Sequence, residues 1–222
     1  MNWWAATLFD LLQTVIAERR KVSTTMSQAR FIQWSGWLCI FGGIFFTASS
    51  VSQLRPSSGL TFGGAYQLSL YALVPGMALI MLGLLGILLR YRAHLNLFGK
   101  LSLLTALVAA GVTAIGLLLT LVVGNDFWNL FMVGWLVQVA GHTVFGGFAV
   151  TTHLLPRWNF ALLIGSALPL TVVVLVLSSQ QAISGTNWAA FAMLLLIGIG
   201  WLLTGWALNS QPDASIQPVT GA

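Results

Sequence analysis

Charged side chains are nearly missing from this 222-residue chain: they make up 6% of it, four Asp and Glu against nine Lys and Arg. A soluble domain carries about a quarter charged residues, so a soluble fold is excluded. Cysteine is scarcer still. The single Cys39 excludes an internal disulfide and any zinc or iron–sulfur site built from cysteines. The formal charge of +5 and the pI near 10.2 reflect few titrating groups rather than a basic patch, so nucleic acid is not an expected partner. No Walker loop, HExxH or GxSxG element occurs, which removes the best-marked routes to phosphate, zinc-protease and serine-hydrolase chemistry.

What fills the chain instead is apolar: 58% hydrophobic residues and a mean hydropathy of +0.90. A membrane helix needs about 20 mostly apolar residues to cross a hydrocarbon core of roughly 30 Å. Six stretches qualify: Phe31–Ser52, Gln67–Tyr91, Phe98–Val123, Phe127–Thr152, Trp158–Ser178 and Trp188–Leu208. Short polar, Gly- or Pro-bearing segments separate them, among them Arg55-Pro56-Ser57-Ser58-Gly59, Gly124-Asn125-Asp126 and Ser178-Ser179-Gln180-Gln181. The expected fold is all-α, a polytopic bundle of six transmembrane helices spanning residues 25–208, with the lipid bilayer as its first partner.

Cytoplasmic loops retain Lys and Arg, and this orients the chain. With the N-terminus inside, the inner segments hold Arg19, Arg20, Lys21, Arg30, Arg90, Arg92, Lys100 and Arg157, and the outer loops hold only Arg55. Both termini are therefore expected in the cytoplasm. Trp34, Trp37, Tyr91, Trp158 and Trp206 fall at inner ends of the spans, and Tyr66, Tyr71, Trp128 and Trp188 at outer ends. These are the depths where an amphipathic ring anchors. Trp135 and Trp201 lie deeper, facing either lipid or a neighbouring helix.

The two ends differ from the core. Within residues 1–24, Trp4, Leu8, Leu11, Leu12 and Val15 recur at helical spacing before Glu18-Arg19-Arg20-Lys21. That pattern describes an amphipathic helix on the cytoplasmic surface and a basic linker, without the basic start and small-residue cleavage site of a secretory signal. Residues 209–222 are polar and Pro-containing, as a disordered tail is.

Small residues mark the faces where membrane helices meet. In the third span Ser102, Ala106, Ala110 and Ala114 follow at four-residue intervals beside Thr105, Ala109 and Thr113, which predicts a helix touching two neighbours. Gly83 and Gly86, Gly146 and Gly147, and Gly198 and Gly200 offer further close approaches. Pro75 and Pro169 each remove a backbone donor and predict kinks in the second and fifth spans. The triplet Gly-Trp-Leu occurs at 36–38, 134–136 and 200–202, a faint echo of the inverted repeats of transporters, without sustained similarity around it.

Ionisable groups inside a membrane are costly and mark functional sites. Asp10, Glu18, Asp126 and Asp213 all lie outside the spans, so no paired carboxylates or acid-rich metal site is expected and the chain does not read as an enzyme. The exception to apolarity is the fourth span, where Gln138 and His142 sit one turn apart on one face with Thr143 beside them. His153 is eleven residues further, nearly on the same face. Three readings stand. The imidazole and amide hydrogen-bond across helices, in a cluster with Thr143 or a third-span Thr; they line a path for a small polar solute; or His142 is an axial ligand of haem or a chlorophyll-type pigment, with glycines leaving room for the macrocycle. The last has little support: His94 lies in a loop, so a second facing His is missing, and Gln138 stands where light-harvesting helices carry Ala. The leading expectation is no cofactor and a neutral, buried His142.

The stretch His142-Thr143-Val144-Phe145-Gly146-Gly147-Phe148-Ala149-Val150, with Leu154-Leu155-Pro156-Arg157-Trp158 and Leu162-Leu163-Ile164-Gly165 after it, resembles uncharacterised bacterial multi-span integral membrane proteins of the domain-of-unknown-function type. In these an F-G-x-A pattern ends one helix and L-P-R-W opens the next; Trp34-Ser35-Gly36-Trp37-Leu38 with Gly42-Gly43 fits their opening helix. The resemblance implies a multi-pass protein of the bacterial inner membrane and no assigned chemistry. The function expected overall is a non-enzymatic accessory or structural subunit that associates with other membrane proteins or with itself. A small-solute carrier is the alternative.

Overall fold

The computed structural model describes residues 30–54, 65–154, 160–179 and 188–210. The amphipathic segment expected in residues 1–24, the Leu155-Pro156-Arg157-Trp158 turn and the tail beyond residue 210 lie outside them. The described chain is helical throughout: α1 (Arg30–Val51), α2 (Ala65–Tyr91), α3 (Leu97–Val122), α4 (Trp128–Thr151), α5 (Ala161–Ile164), α6 (Ala167–Ser179) and α7 (Trp188–Ser210). Five of these, α1, α2, α3, α4 and α7, are long and apolar enough to cross a membrane. The protein is a multi-pass membrane protein by that measure.

The fifth expected span departs from the sequence reading. Instead of one helix over Trp158–Ser178 there are two, α5 and α6, separated at Gly165 and Ser166. The cause is Pro169. A proline has no N–H for the carbonyl four residues back and its ring crowds that carbonyl, and four residues back is Gly165. The regular ladder stops with Gly165 N–H donating to the Ala161 carbonyl at 3.3 Å and resumes with Leu170 N–H donating to Ser166 at 3.0 Å. Ser166 stabilises the break by donating its hydroxyl to the Leu162 carbonyl at 2.7 Å. Pro75, by contrast, sits on an exposed face and leaves α2 assigned as one helix.

The turns show how short connections reverse the chain. Asn96 caps α3 by accepting the Gly99 N–H at 2.9 Å. Gly124, at φ +141°, makes the bend between α3 and α4 in a region closed to other residues. At the end of α4, Leu154 N–H reaches the Ala149 carbonyl (3.0 Å) and His153 N–H the Val150 carbonyl (3.4 Å). His153 adopts φ +52°, completing the paired bonds of a Schellman stop. His153 therefore lies beyond the helix and is exposed, not on the His142 face as helical extrapolation suggested.

Packing follows small residues. On α3, Ser102, Ala106, Ala109, Ala110 and Thr113 are buried, and the helix touches α2 and, most extensively, α4. Thr105 instead faces outward. A Cβ on Gly134 would stand 2.9 Å from the Thr113 nitrogen, and one on Gly141 3.0 Å from the Ala106 nitrogen. Seven-residue steps on α4 thus match seven-residue steps on α3, running antiparallel. Helix α1 does the same twice. Gly83 and Gly86 of α2 receive Cys39 and Ser35, while Gly43 lies against Gly198 of α7 (2.7 Å from a Cβ to the Gly198 carbonyl) and Gly36 against Gly205. As numbers rise on α1 they fall on α7, so these helices are antiparallel. Helix α4 contacts α5 and α6, and both contact α7, so each helix touches the next and α7 returns to α1. Of the pair Gly146 and Gly147, only Gly146 meets a neighbour, Leu163; a Cβ on Gly147 would meet nothing within 4 Å.

The outward faces are large and apolar. On α1, Trp34, Trp37, Phe41, Ile44 and Val51 are exposed in one stripe, and Trp128, Trp188 and Trp206 project outward near helix ends. Trp135 and Trp201 pack between helices, 8% and 3% exposed. The Gly-Trp-Leu echo therefore has a common part and a variable one. Gly36, Gly134 and Gly200 each meet a neighbouring backbone, whereas Trp37 faces out and the other two tryptophans face in.

Candidate functional site

Gln138 and His142 lie on the inner stripe of α4 that also carries Phe131, Trp135, Val139 and Phe145. They are 5% and 3% exposed. Helical periodicity explains why both are buried: four residues apart, they share the face that α4 turns toward its neighbours.

The His142 ring meets α7 through Trp201, edge to face, with centroids 5.1 Å apart and planes at 72°. Such aromatic pairs are worth about 0.5–1.5 kcal/mol beyond area burial. Around them stand Leu162 and Gly165 from α5 and the break, and Gly200 and Thr204 from α7. Gly200 is what lets the interrupted segment approach: a Cβ there would run into the Gly165 backbone and come within 3.0 Å of the Ala161 carbonyl. The space these residues enclose is too tight for a water molecule.

The hydrogen-bonded cluster expected around Gln138, His142 and Thr143 does not form. His142 Nε2 and Gln138 Oε1 are buried and have no hydrogen-bond partner. The hydroxyls that were to join them serve their own helices: Thr143 donates to the Val139 carbonyl at 2.9 Å and Thr113 to the Ala109 carbonyl at 2.7 Å. Thr204, beside the ring, donates to the Gly200 carbonyl at 2.7 Å. In an apolar surrounding a threonine hydroxyl finds the carbonyl one turn back at no cost in side-chain ordering, and this local bond outcompetes one across helices. A third orphan, Thr47 Oγ1 on α1, lies where a Cβ on Gly198 would collide with it.

Trp201 and the α5–α6 break stand directly against the His142 ring. Among the described residues no three His, Cys, Asp or Glu side chains gather as a metal set. His94 lies exposed in the α2–α3 turn, and Cys39 is buried where α1 meets α2. What His142, Gln138 and the break can do chemically is accept and donate hydrogen bonds without charge.

Sequence reading found Gln138 and His142, and Gly200 as a close-approach glycine, and missed Gly165, Ser166 and Thr204, which carry no signal alone. The usable one was Pro169, whose effect falls four residues upstream, on Gly165. Compared with family models, with curated proteins and with solved structures, the chain matches none.

Proposed function

We propose that the chain is a non-enzymatic, multi-pass protein of the bacterial inner membrane that serves as an accessory or structural subunit beside other membrane proteins. The observation carrying this reading is the closed interior at His142. The space beside the buried His142 has no room even for water, while the outer faces of the described helices present broad apolar surface. A protein built this way offers surfaces rather than a chamber. Native mass spectrometry after gentle extraction tests it: co-purifying membrane proteins or a stable self-assembly are expected, and a stable monomer without partners contradicts the role. The resemblance to uncharacterised multi-span proteins fits the same reading and adds no activity.

We further propose six crossings with both ends cytoplasmic, α5 and α6 together making the fifth. Two contacts support this. The antiparallel pairing of α1 with α7 fits an even number of crossings from first to last. The Arg90 guanidinium at the end of α2 also donates to the Leu208 carbonyl near the end of α7, at 2.8 Å, so both helices finish on one side.

A small-solute carrier is the second reading, favoured by a specific feature: a helix broken at the same place as a buried, unpartnered imidazole. Broken helices at membrane depth recur at transport sites. Flux of small uncharged solutes into reconstituted liposomes tests it, and rates equal to empty liposomes contradict it.

A further inference from the structure

We propose that the α2–α3 turn, with the outward stripe of α3 that follows it, is a binding site for one anionic phospholipid of the phosphatidylglycerol class. Charge is the first observation. Arg92, His94 and Lys100 are exposed on this turn. Arg30 stands at the same end of the bundle, because Ser35 and Cys39 of α1 meet Gly86 and Gly83 of α2 in antiparallel order. Among the described residues the one carboxylate is Asp126, beyond the other end of α3. Arg92 and Lys100 therefore have no acidic side chain of the described chain to neutralise them, whereas Arg90 is already engaged by the Leu208 carbonyl. Each Lys or Arg near a membrane surface attracts anionic lipid, and a phosphate accepts charge-assisted hydrogen bonds from both.

The turn is fixed in place. His94 and Leu95 both donate their N–H to the Tyr91 carbonyl, at 2.8 and 3.1 Å. Tyr91 and Leu95 are buried, and Asn96 caps α3. The backbone carrying Arg92 and Lys100 is thus ordered before a headgroup arrives, which lowers the cost of binding. The apolar stripe then separates a lipid from other anions. Leu97, Leu101, Leu104 and Val108 are exposed and recur at helical spacing, so they form one outward face of α3. Lys100 lies one turn before Leu104 and shares that face. A phosphate held by Lys100 and Arg92 sets an acyl chain along Leu104 and Val108. An acidic protein segment would use the cations and leave the stripe unused. The inference goes beyond the accessory role and holds with or without protein partners.

The test uses the full chain in phosphatidylcholine nanodiscs with a bimane on Leu104→Cys, Cys39 being buried. Phosphatidylglycerol or phosphatidylcholine brominated on its acyl chains is added in increasing mole fraction, and quenching is read. The brominated phosphatidylglycerol is expected to quench at a mole fraction about 25-fold lower, two cations at about fivefold each. Lys100→Gln or Arg92→Gln alone should reduce that preference about fivefold, and the double variant should remove it. Val144→Cys reports general enrichment of anionic lipid and should show a much smaller preference. It is exposed on α4 at a matching depth, since Gly141 lies against Ala106. Leu101→Cys gives the same reading if Leu104→Cys does not fold. Equal quenching by the two lipids on α3, as an acidic protein partner at these cations would leave it, overturns the proposal. So does an equal preference at Val144→Cys, or one that survives in the folded double variant.

Discussion

Arg90 and Leu208, 118 residues apart, are joined by a hydrogen bond: the Arg90 guanidinium donates to the Leu208 carbonyl at 2.8 Å. The acceptor belongs to the last turn of α7, where carbonyls have no helical donor of their own. A cation is also the favoured partner for a helix C-terminus. One side chain thus ends two helices, capping α7 while fixing the end of α2 beside it.

Arg90→Ala should therefore lower thermal stability in detergent by about 1.5–3 kcal/mol, the value of a hydrogen bond made by a charged group. Arg90→Lys should recover part of it. Circular dichroism melts of the three proteins check this; an unchanged melt for Arg90→Ala would show that the contact carries no stability.

The glycine contacts give an internal control. Gly134→Val places a branched side chain against the Thr113 backbone and should cost about 1–3 kcal/mol by overpacking. Gly147→Ala, on the same helix but with open space around it, should cost nothing measurable. Equal losses in the two variants would contradict the described α3–α4 interface.

Gln138→Leu removes a buried amide whose Oε1 has no partner and keeps a similar volume. Stability should rise by about 1 kcal/mol, because an unsatisfied buried polar group costs about 1–3 kcal/mol. A fall of that size would mean that Gln138 holds a bond in the folded protein.

His142→Ala loses the edge-to-face contact with Trp201 and leaves a void beside it. A loss of about 1–3 kcal/mol is expected from the aromatic pair and the unfilled space together. His142→Ala melting like the unaltered chain would contradict the packing role given to the ring.

How much of this was legible in the sequence depends on the kind of signal. Long apolar runs bounded by turns are strong ones: Phe98–Val123 was expected and Leu97–Val122 is found, and Trp188–Leu208 becomes Trp188–Ser210. The small-residue face of α3 was also legible, because four-residue spacing of Ser and Ala has few other uses in an apolar helix. The α5–α6 break was legible in part: Pro169 predicts a kink in the fifth span, but not that the helix stops at Gly165 and Ser166. Gln138 and His142 stood out as polar residues in an apolar span. Of their surroundings, Gly200 was legible as a close approach, but its partner Gly165 was not. The expected polar cluster failed for a local reason: Thr143 and Thr113 each had a carbonyl of their own helix within reach.

The central claim, that α5 and α6 together make the fifth crossing, so that α7, the sixth, ends on the side of Arg90, is tested most directly by cysteine accessibility in intact cells. Cys39 is buried and gives little background. Single cysteines replace His94 in the α2–α3 turn, Asp126 in the α3–α4 turn and Ser210 at the end of α7. A membrane-impermeant maleimide should label Asp126→Cys from outside and leave His94→Cys and Ser210→Cys unlabelled until the cells are permeabilised. Labelling of Ser210→Cys from outside, with His94→Cys still protected, would place the two helix ends on opposite faces and contradict the account.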